Sequence, residues 1–329
     1  MASTSTHTPP DVYAQGPRLL TVIIPAYNVG AYIGTCIRSV IGQTNAAQLI
    51  QVLVVVDGAV DDTLDQARAA ALNHEEFVQI IVQSNSGLSG ARNAGLALAK
   101  TSYVTFLDGD DIWKVGYLDK VVPLLIEGTS DIVEYDAETI DECGAFLAHL
   151  KIAAAGKNAI HGVPFHDLLR YFRCYSWARI YRTTLVRHRP FPLGQRFEDT
   201  ATTPWYYWYS QQITSLGYSL VGYRQRSSSI LKSPNWKDIE DLVASTADAA
   251  SMYSQTDSQY WQLVAHRIFQ QACRRITWLP LSKWKKGAES ARTAIMGVPH
   301  PPGFARWLQL NATLLYIALL FIKRKVTRN

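Results

Sequence analysis

The sequence contains two carboxylates separated by one small residue, Asp108-Gly109-Asp110. Two such side chains can point toward one hard cation, and that cation can bridge the oxygens of a diphosphate. The glycine between them lets the backbone turn and approach a ligand closely. Acidic loops are common and are usually only solvated, so these three residues alone leave both a metal site and a solvated loop open.

Two more segments contain residues suited to binding a base or an anion. Asp57 could accept a hydrogen bond from a base N–H, or it could simply form a turn before Gly58. Residues 85–93 include glycines and open a helix, which suits backbone N–H groups that face an anion. Arg92 lies one turn into that helix, where it would pair with a phosphate, pair with one of the aspartates, or lie on the helix surface.

These residues follow short apolar runs that alternate with helical patterns. We predict strands at residues 20–24 (stopped by Pro25), 52–56, 78–82 and 103–107. We predict helices at residues 32–43, 61–72 and 88–100. This alternation indicates an α/β fold whose mostly parallel, Rossmann-like sheet has helices on both faces. Ligands bind outside the carboxyl ends of the strands in such sheets, where Asp57 and Asp108 fall.

The second half of the chain has a different pattern. Another strand is predicted at residues 131–135, an aromatic-rich region at 161–223, and helices throughout 236–296. Residues 307–322 are apolar, precede a basic cluster, and are short for a membrane span, which needs about 20 apolar residues. They predict either an interfacial helix at a membrane surface or a buried C-terminal helix.

Composition excludes several classes of protein. The net charge of +5 is too mild to indicate nucleic-acid binding, so we expect no nucleic-acid partner. The four cysteines are far apart and form no CxxC pair, which argues against a zinc site and a disulfide framework. The first strand leads into Pro25-Ala26-Tyr27-Asn28 without a GxGxxG motif, which argues against a dinucleotide-dependent dehydrogenase.

Residues 1–17 lack a signal-peptide pattern, so we expect a disordered leader and a protein on the cytoplasmic side.

Four segments in order resemble the family 2 glycosyltransferases of the GT-A fold: residues 21–28, 54–63, 87–95 and 106–111. The resemblance runs with high specificity from about residue 19 to residue 135. Farther on, Arg196-Phe197-Glu198-Asp199 resembles the Glu-Asp motif of that family, and residues 223–230 resemble the segment that often closes its catalytic domain. Residues 177–182 match a segment of members that build cell-surface polysaccharides.

The resemblance implies roles for the matching residues. Pro25 and Tyr27 would line the pocket for the nucleotide base, and Asp57 would hydrogen-bond the base, commonly uracil. Arg92 would support the diphosphate region, where Asp108 also contacts the nucleotide-sugar. In two places the sequence departs from the family: Val56 replaces a frequent aspartate, and Ala59-Val60 replace the usual serine and threonine.

The resemblance also implies the chemistry. Asp108 and Asp110 would bind a divalent ion, Mn²⁺ or Mg²⁺, which neutralises the departing diphosphate. Asp199 would be the general base for the acceptor hydroxyl, and a single displacement would invert the anomeric centre. Glu198 is a candidate acceptor-binding residue, as are Trp205 and Tyr206, which either stack on an acceptor sugar or pack in the core.

The resemblance therefore implies an inverting hexosyl- or N-acetylhexosaminyltransferase. It would move sugar from a nucleotide-sugar, expected to be UDP-linked, to a glycan or lipid-linked acceptor in cell-surface polysaccharide synthesis. The alternative is a non-catalytic scaffold that binds nucleotide-sugars on the same fold. We expect a leader at 1–17, a catalytic GT-A domain at 18–232, a helical region at 233–298, and a membrane-associating tail at 299–329 that holds the enzyme peripherally at the cytoplasmic face.

Overall fold

The computed structural model describes residues 18–153, 160–161, 169, 171–227, 233–299 and 312–326; the predicted leader lies outside these residues. The strands are β1 (Leu20–Ala26), β2 (Ile50–Asp57), β3 (Val78–Gln83), β4 (Tyr103–Phe106), β5 (Ile112–Trp113), β6 (Ile132–Ile140), β7 (Phe146–Leu150), β8 (Ile160–His161), β9 (Arg179–Arg182) and β10 (Ile213–Arg224). The helices are α1 (Gly30–Ile41), α2 (Ala46–Leu49), α3 (Thr63–Ala71), α4 (Gly87–Leu98), α5 (Tyr117–Glu127), α6 (Thr183–His188), α7 (Glu198–Tyr209), α8 (Trp236–Thr256), α9 (Gln259–Ile276), α10 (Trp284–Ala294) and α11 (Thr313–Val326).

The first half of the fold confirms the predicted alternation of strands and helices. Four parallel strands lie in the order β3-β2-β1-β4, and their carboxyl ends share one edge of the sheet. The prediction that Pro25 stops the first strand is wrong, because β1 continues to Ala26 and Pro25 pairs with Val55. The missing N–H of Pro25 is tolerated because β4 pairs only with Leu20 to Ile23, so the proline lies beyond that ladder.

The second half of the sheet is mixed. Strand β9 is antiparallel to both β4 and β6, and thereby joins the two halves of the sheet. Strand β10 runs parallel to β6 and pairs antiparallel with β5. This order brings the end of β10 to the loop that follows β4. The α/β prediction is therefore confirmed, with an antiparallel strand inserted in the middle of the sheet.

The two faces of the sheet pack against different layers of helices. Along β1, Val22 and Ile24 face one core, whereas Ile23 faces the other, as the two-residue period of a strand requires. The second core extends into the C-terminal helices and includes fully buried Trp261. Burial of one large aliphatic side chain such as Ile23 stabilises a fold by about 2 kcal/mol. The helical region therefore shares a core with the sheet.

The last described helix, α11, has one packed face and one exposed face. Ile317 is fully buried, Phe321 packs edge-on against Trp284, and the Arg324 guanidinium lies 4.3 Å from the ring centre of Trp278. Leu315 and Leu319 are about half exposed on the other side. Within the described residues, no helix is long and apolar enough to cross a bilayer. The packed face corresponds to the buried-helix alternative, whereas the interfacial alternative stays a prediction, and residues 307–311 of the predicted segment lie outside the described residues.

Candidate active site

The acidic residues 108–111 form a tight turn at the carboxyl end of β4. The Asp111 N–H donates to the carbonyl oxygen of Asp108 at 2.9 Å. A Cβ added to Gly109 would lie 3.0 Å from the carbonyl oxygen of Pro25, so the turn packs closely on the end of β1. Buried Asp111 accepts the backbone N–H of Arg224 at 2.7 Å, which ties the turn to the end of β10. The sequence prediction did not assign this structural role to Asp111.

Asp57 is buried at the carboxyl end of β2. One of its oxygens, Oδ1, accepts hydrogen bonds from the Gln83 side chain at 2.7 Å and from the Ser86 N–H at 2.8 Å. Among the described residues, its other oxygen has no hydrogen-bond donor. Gly58 adopts a φ of 68°, so the predicted turn is present as well. Asp57 is therefore held rigidly, with one oxygen available to a base N–H.

The loop after β1 lies beside Asp57. Tyr27 is 46% exposed, and Pro25 is the second-last residue of β1. The Asn28 side chain accepts the N–H of Val60, which links this loop to the one after β2. Pro25 and Asp57 therefore lie at the carboxyl ends of two adjacent strands, and Tyr27 lies in the loop directly after the first; their role in a nucleotide pocket stays a prediction.

Arg92 lies on α4 and bridges the two acidic motifs. Its Nη2 donates to Oδ1 of Asp108 at 2.9 Å, and its Nη1 donates to Oε1 of Glu198 at 2.5 Å. The Arg92 side chain is only 3% exposed, and its guanidinium lies 5.3 Å from the ring centre of Phe191. The sequence left three interpretations of Arg92 open, and the structure shows the one in which Arg92 pairs with an aspartate, Asp108. Arg92 holds Asp108 and Glu198 together across 90 residues of sequence.

Glu198 and Asp199 begin helix α7, where the helix dipole favours negative charge. Burial and the neighbouring Glu198 carboxylate raise the pKa of Asp199 to about 7, although the positive charge of Arg92 opposes this shift. Asp199 Oδ1 accepts the N–H of Thr200 at 2.7 Å. A carboxylate with a pKa near neutrality is well matched to accepting a proton from an alcohol as it reacts.

Asp108 and Asp110 could hold a divalent cation together only if a substrate supplied further oxygen ligands. Burial and the negative charge of Asp108 raise the pKa of Asp110, because the two carboxylates lie close enough to repel each other. The Arg226 Nε contacts Asp110 Oδ2 at 2.5 Å and opposes this shift. In the described ranges, no group of three or more His, Cys, Asp or Glu side chains is arranged to hold a metal. Mg²⁺ typically needs only one or two carboxylates when phosphates supply further oxygens.

The three candidate acceptor residues have different surroundings. The Glu198 side chain is buried, and its carboxylate forms an ion pair with Arg92 within the protein. Tyr206 is fully buried and donates its hydroxyl to the Arg189 carbonyl at 2.8 Å, which corresponds to the core-packing alternative. Trp205 has the Arg189 guanidinium 3.8 Å from its ring centre and Trp261 at 4.6 Å. Glu198 and Tyr206 are thus buried, whereas Trp205 stays partly exposed, and its contact with an acceptor stays a prediction.

A buried ion cluster behind the Glu-Asp motif was not anticipated from sequence. Asp238, which is completely buried, contacts Arg196 Nε at 3.0 Å and Arg275 Nε at 2.6 Å. Between Arg196 and Glu198, Phe197 adopts a left-handed φ of 58°, a conformation that costs a non-glycine residue about 1–2 kcal/mol. The C-terminal helices thus hold the strained turn that presents Asp199. The only sequence signal was the capping pattern of Asn235 and Asp238, which begins α8.

Comparison with known proteins gives consistent matches. A family model described as "Glycosyl transferase family 2" matches residues 21–191. Glycosyltransferase GlyA of Streptococcus pneumoniae is 28% identical over 242 residues, which are 71% of this chain and 34% of GlyA, so the match spans about a third of that relative. Glycosyltransferase GlyG of the same organism is 25% identical over 294 residues, covering 78% of this chain and 95% of GlyG.

Among solved structures, S. aureus TarS residues 1–349, in complex with UDP-GlcNAc, superposes with a TM-score of 0.72 at 19% identity. The superposition covers 93% of this chain and 88% of that TarS chain. It reaches well beyond the residues matched by the family model, and therefore includes C-terminal helices as well as the sheet. At this identity the likeness concerns the fold.

Proposed function

The chain belongs to glycosyl transferase family 2, and from that premise we propose that it is an inverting enzyme using a UDP-linked sugar. Glycosyltransferase activity is common to the family. The specific proposal is transfer of a hexosyl or N-acetylhexosaminyl group to a hydroxyl of a glycan or lipid-linked acceptor in cell-surface polysaccharide synthesis. The observation that carries it is the bridge from Asp108 through Arg92 to Glu198, beside Asp199.

The donor would lie along the carboxyl edge of the sheet. Pro25 and Tyr27 would line the base pocket, and the available oxygen of Asp57 would accept the uracil N–H. The UDP-GlcNAc in the TarS complex supports a nucleotide-sugar donor for this chain. Val56, Ala59 and Val60 offer no polar side chain to the nucleoside, so Asp57 would provide the main base contact from this loop.

Asp108 and Asp110 would hold the divalent ion, Mn²⁺ or Mg²⁺. When bound, that ion neutralises negative charge that develops on the leaving diphosphate. Arg92 would act on the diphosphate region indirectly, because its guanidinium is buried and fixes the orientation of the Asp108 carboxylate. Arg226 would have to release Asp110 if both carboxylate oxygens were to face the ion.

Asp199 would take the proton from the acceptor hydroxyl as that oxygen attacks the anomeric carbon. The bond from the anomeric carbon to the diphosphate breaks in the same step, and one displacement inverts the configuration. The elevated pKa of Asp199 supports this role, because the carboxylate is then basic enough to accept a proton near neutral pH. Glu198 would serve as a positioning residue through its ion pair with Arg92.

We also propose peripheral binding to the cytoplasmic face of a membrane through α11. Its exposed leucines would enter the interface, and Lys323 and Lys325 at its end would face anionic lipid. The packed face, which includes Ile317, would stay on the protein core.

A binding screen tests the donor assignment. The protein is heated with Mn²⁺ and, separately, UDP-glucose, UDP-galactose, UDP-GlcNAc, GDP-mannose and dTDP-rhamnose. We expect at least one UDP-sugar to raise the Tm, since a ligand that binds only the folded state stabilises it, and we expect Asp57→Ala to lose that shift. If no UDP-sugar raised the Tm, the donor assignment would be wrong. Stabilisation without any turnover would favour the non-catalytic scaffold.

A further inference from the structure

Three aromatic side chains form a compact cluster beside the acidic residues. The ring centres of Tyr175 and Trp177 are 5.0 Å apart at 12°, and those of Trp177 and Tyr223 are 5.0 Å apart at 25°. Tyr175 and Tyr223 also contact each other at 5.9 Å. Trp177 is buried, whereas both tyrosines are partly exposed. We call these three residues the aromatic platform.

One end of the platform is fixed to the helix that begins at Glu198. The Thr203 hydroxyl on that helix donates to the carbonyl oxygen of Cys174 at 2.8 Å, directly before Tyr175. Thr203 follows Asp199 by four residues, so the two lie on the same helix face. This hydrogen bond brings Tyr175 beside the Asp199 side of the helix. In keeping with that position, burial and then the charge of Asp199 raise the pKa of Tyr175.

The other end is fixed to the acidic turn. Arg224, the residue after Tyr223, donates its N–H to Asp111 and its Nε to the Asp110 carbonyl, both at 2.7 Å. Burial first, then Tyr175, then Asp111, Asp108 and Asp110 raise the pKa of Tyr223. The platform therefore reaches from the side of the general base to the side of the proposed cation.

The platform is also rigid. The Tyr135 hydroxyl donates to the Trp177 carbonyl at 2.8 Å, and Arg179 Nη1 donates to the Tyr175 carbonyl at 2.7 Å. Among the described residues, neither the Tyr175 nor the Tyr223 hydroxyl makes a hydrogen bond. Fixed rings with available hydroxyls combine an apolar face with polar edges, which matches the alternating faces and edges of a sugar ring.

We propose that the aromatic platform is the acceptor-binding surface, on which a pyranose stacks through the face that carries its axial C–H bonds. The substrate class is a β-pyranoside such as a β-glucoside, whose ring has three axial C–H bonds, at C1, C3 and C5, on one face. A ring lying on Tyr175 and Tyr223 directs a hydroxyl at its edge toward Asp199. This assignment rests on the proposed function, and it replaces Trp205 and Tyr206 as the aromatic contacts of the acceptor.

Saturation-transfer NMR tests the assignment with methyl β-D-glucopyranoside as the probe, in the presence of UDP and Mg²⁺. We expect the strongest transfer at the axial ring protons H1, H3 and H5 of the glycoside. Tyr175→Leu should reduce glycoside binding about fivefold, the effect of losing one aromatic contact, whereas Tyr175→Phe should retain the axial pattern. The matched control is Tyr218→Leu, an exposed tyrosine on the strand that also carries Tyr223.

UDP in the same sample reports on the donor site. If UDP binds and the glycoside signal is unchanged in Tyr175→Leu, the platform assignment is overturned while the donor assignment stands. If wild-type protein does not bind UDP at all, the proposed function itself fails. Wild-type protein with ring-deuterated tyrosine provides a measurement without substitution, in which transfer from aromatic protons to the glycoside should fall sharply. Unchanged transfer in that sample, or no transfer from wild type that binds UDP, would also overturn the assignment.

Discussion

Arg92 and Glu198 form a buried ion pair, with 2.5 Å between Nη1 and Oε1, although 106 positions separate them in sequence. The same guanidinium binds Asp108, so one side chain sets the distance between the acidic turn and the start of helix α7. Asp199 follows Glu198 directly, and its position depends on that start. The proposed donor side and the proposed acceptor side of the site are therefore coupled through Arg92.

Replacing Arg92 by Met should destabilise the protein by about 3 kcal/mol, because it leaves buried Glu198 without its counter-charge. Urea unfolding measures this change. Arg38→Met, on an exposed face of α1, should change the free energy of unfolding by less than about 0.5 kcal/mol. Equal stability of the two variants would show that the bridge has no structural role.

Asp199→Asn should lower the transfer rate by about 10²–10⁴-fold while UDP affinity is retained, as expected for loss of a general base. Asp199 must be deprotonated to act as a base, and its pKa is about 7. The wild-type kcat should therefore be low at pH values below 7 and should rise as the pH increases through 7. The residual activity of Asp199→Asn should lack this acid limb. Loss of UDP affinity in the variant would instead identify Asp199 as a donor ligand.

Removal of the metal ion by a chelator should abolish transfer. Asp110→Asn should weaken Mn²⁺ binding in the presence of UDP by at least about tenfold, because mutation of residues that only support a metal ligand already lowers metal affinity by that much. Electron paramagnetic resonance of free Mn²⁺ measures binding independently of turnover. Asp65→Asn, an exposed carboxylate on α3, is the matched control. Undiminished Mn²⁺ binding by Asp110→Asn would remove Asp110 from the metal site.

Leu319→Glu should weaken binding to vesicles containing phosphatidylglycerol by about tenfold, since it removes an apolar side chain from the proposed interface. Binding of the wild type should also weaken as salt rises. Ile317→Glu is the contrasting variant, because that side chain is fully buried and its replacement should lower the Tm. Co-sedimentation with vesicles and a thermal melt separate the two faces. Equal vesicle binding by wild type and Leu319→Glu would contradict the membrane proposal.

The first half of the fold could be predicted from sequence because its signals are local. Buried parallel strands read as continuous apolar runs, so β1 to β4 were found to within a few residues, and Asp57 and Asp108 fell correctly at strand ends. Residues near Glu198 were identified only through family resemblance. That motif starts after a left-handed Phe197 and has no side-chain cap, so no local rule indicates a helix there.

Contacts between distant segments could not be predicted. Nothing in the composition of α4 distinguishes Arg92 on a helix surface from Arg92 between two acids. The aromatic run at 205–209 is visible in the sequence, but helix periodicity alone does not say that Tyr206 faces the core while Tyr175, in an irregular segment, stacks on Trp177. The pairing of Asp238 with Arg196 likewise depends on how the C-terminal helices pack on the sheet.

Release of UDP from a UDP-sugar is the decisive measurement for the proposed transferase. Purified protein with Mn²⁺ is given each UDP-sugar that raises its Tm, and UDP is measured over time with wild type, Asp110→Asn and a protein-free control. We expect slow release of UDP by the wild type through transfer to water, faster release when an acceptor is added, and no release above the protein-free rate with Asp110→Asn. UDP-sugar binding without release by the wild type, or equal release by Asp110→Asn, would contradict the proposal.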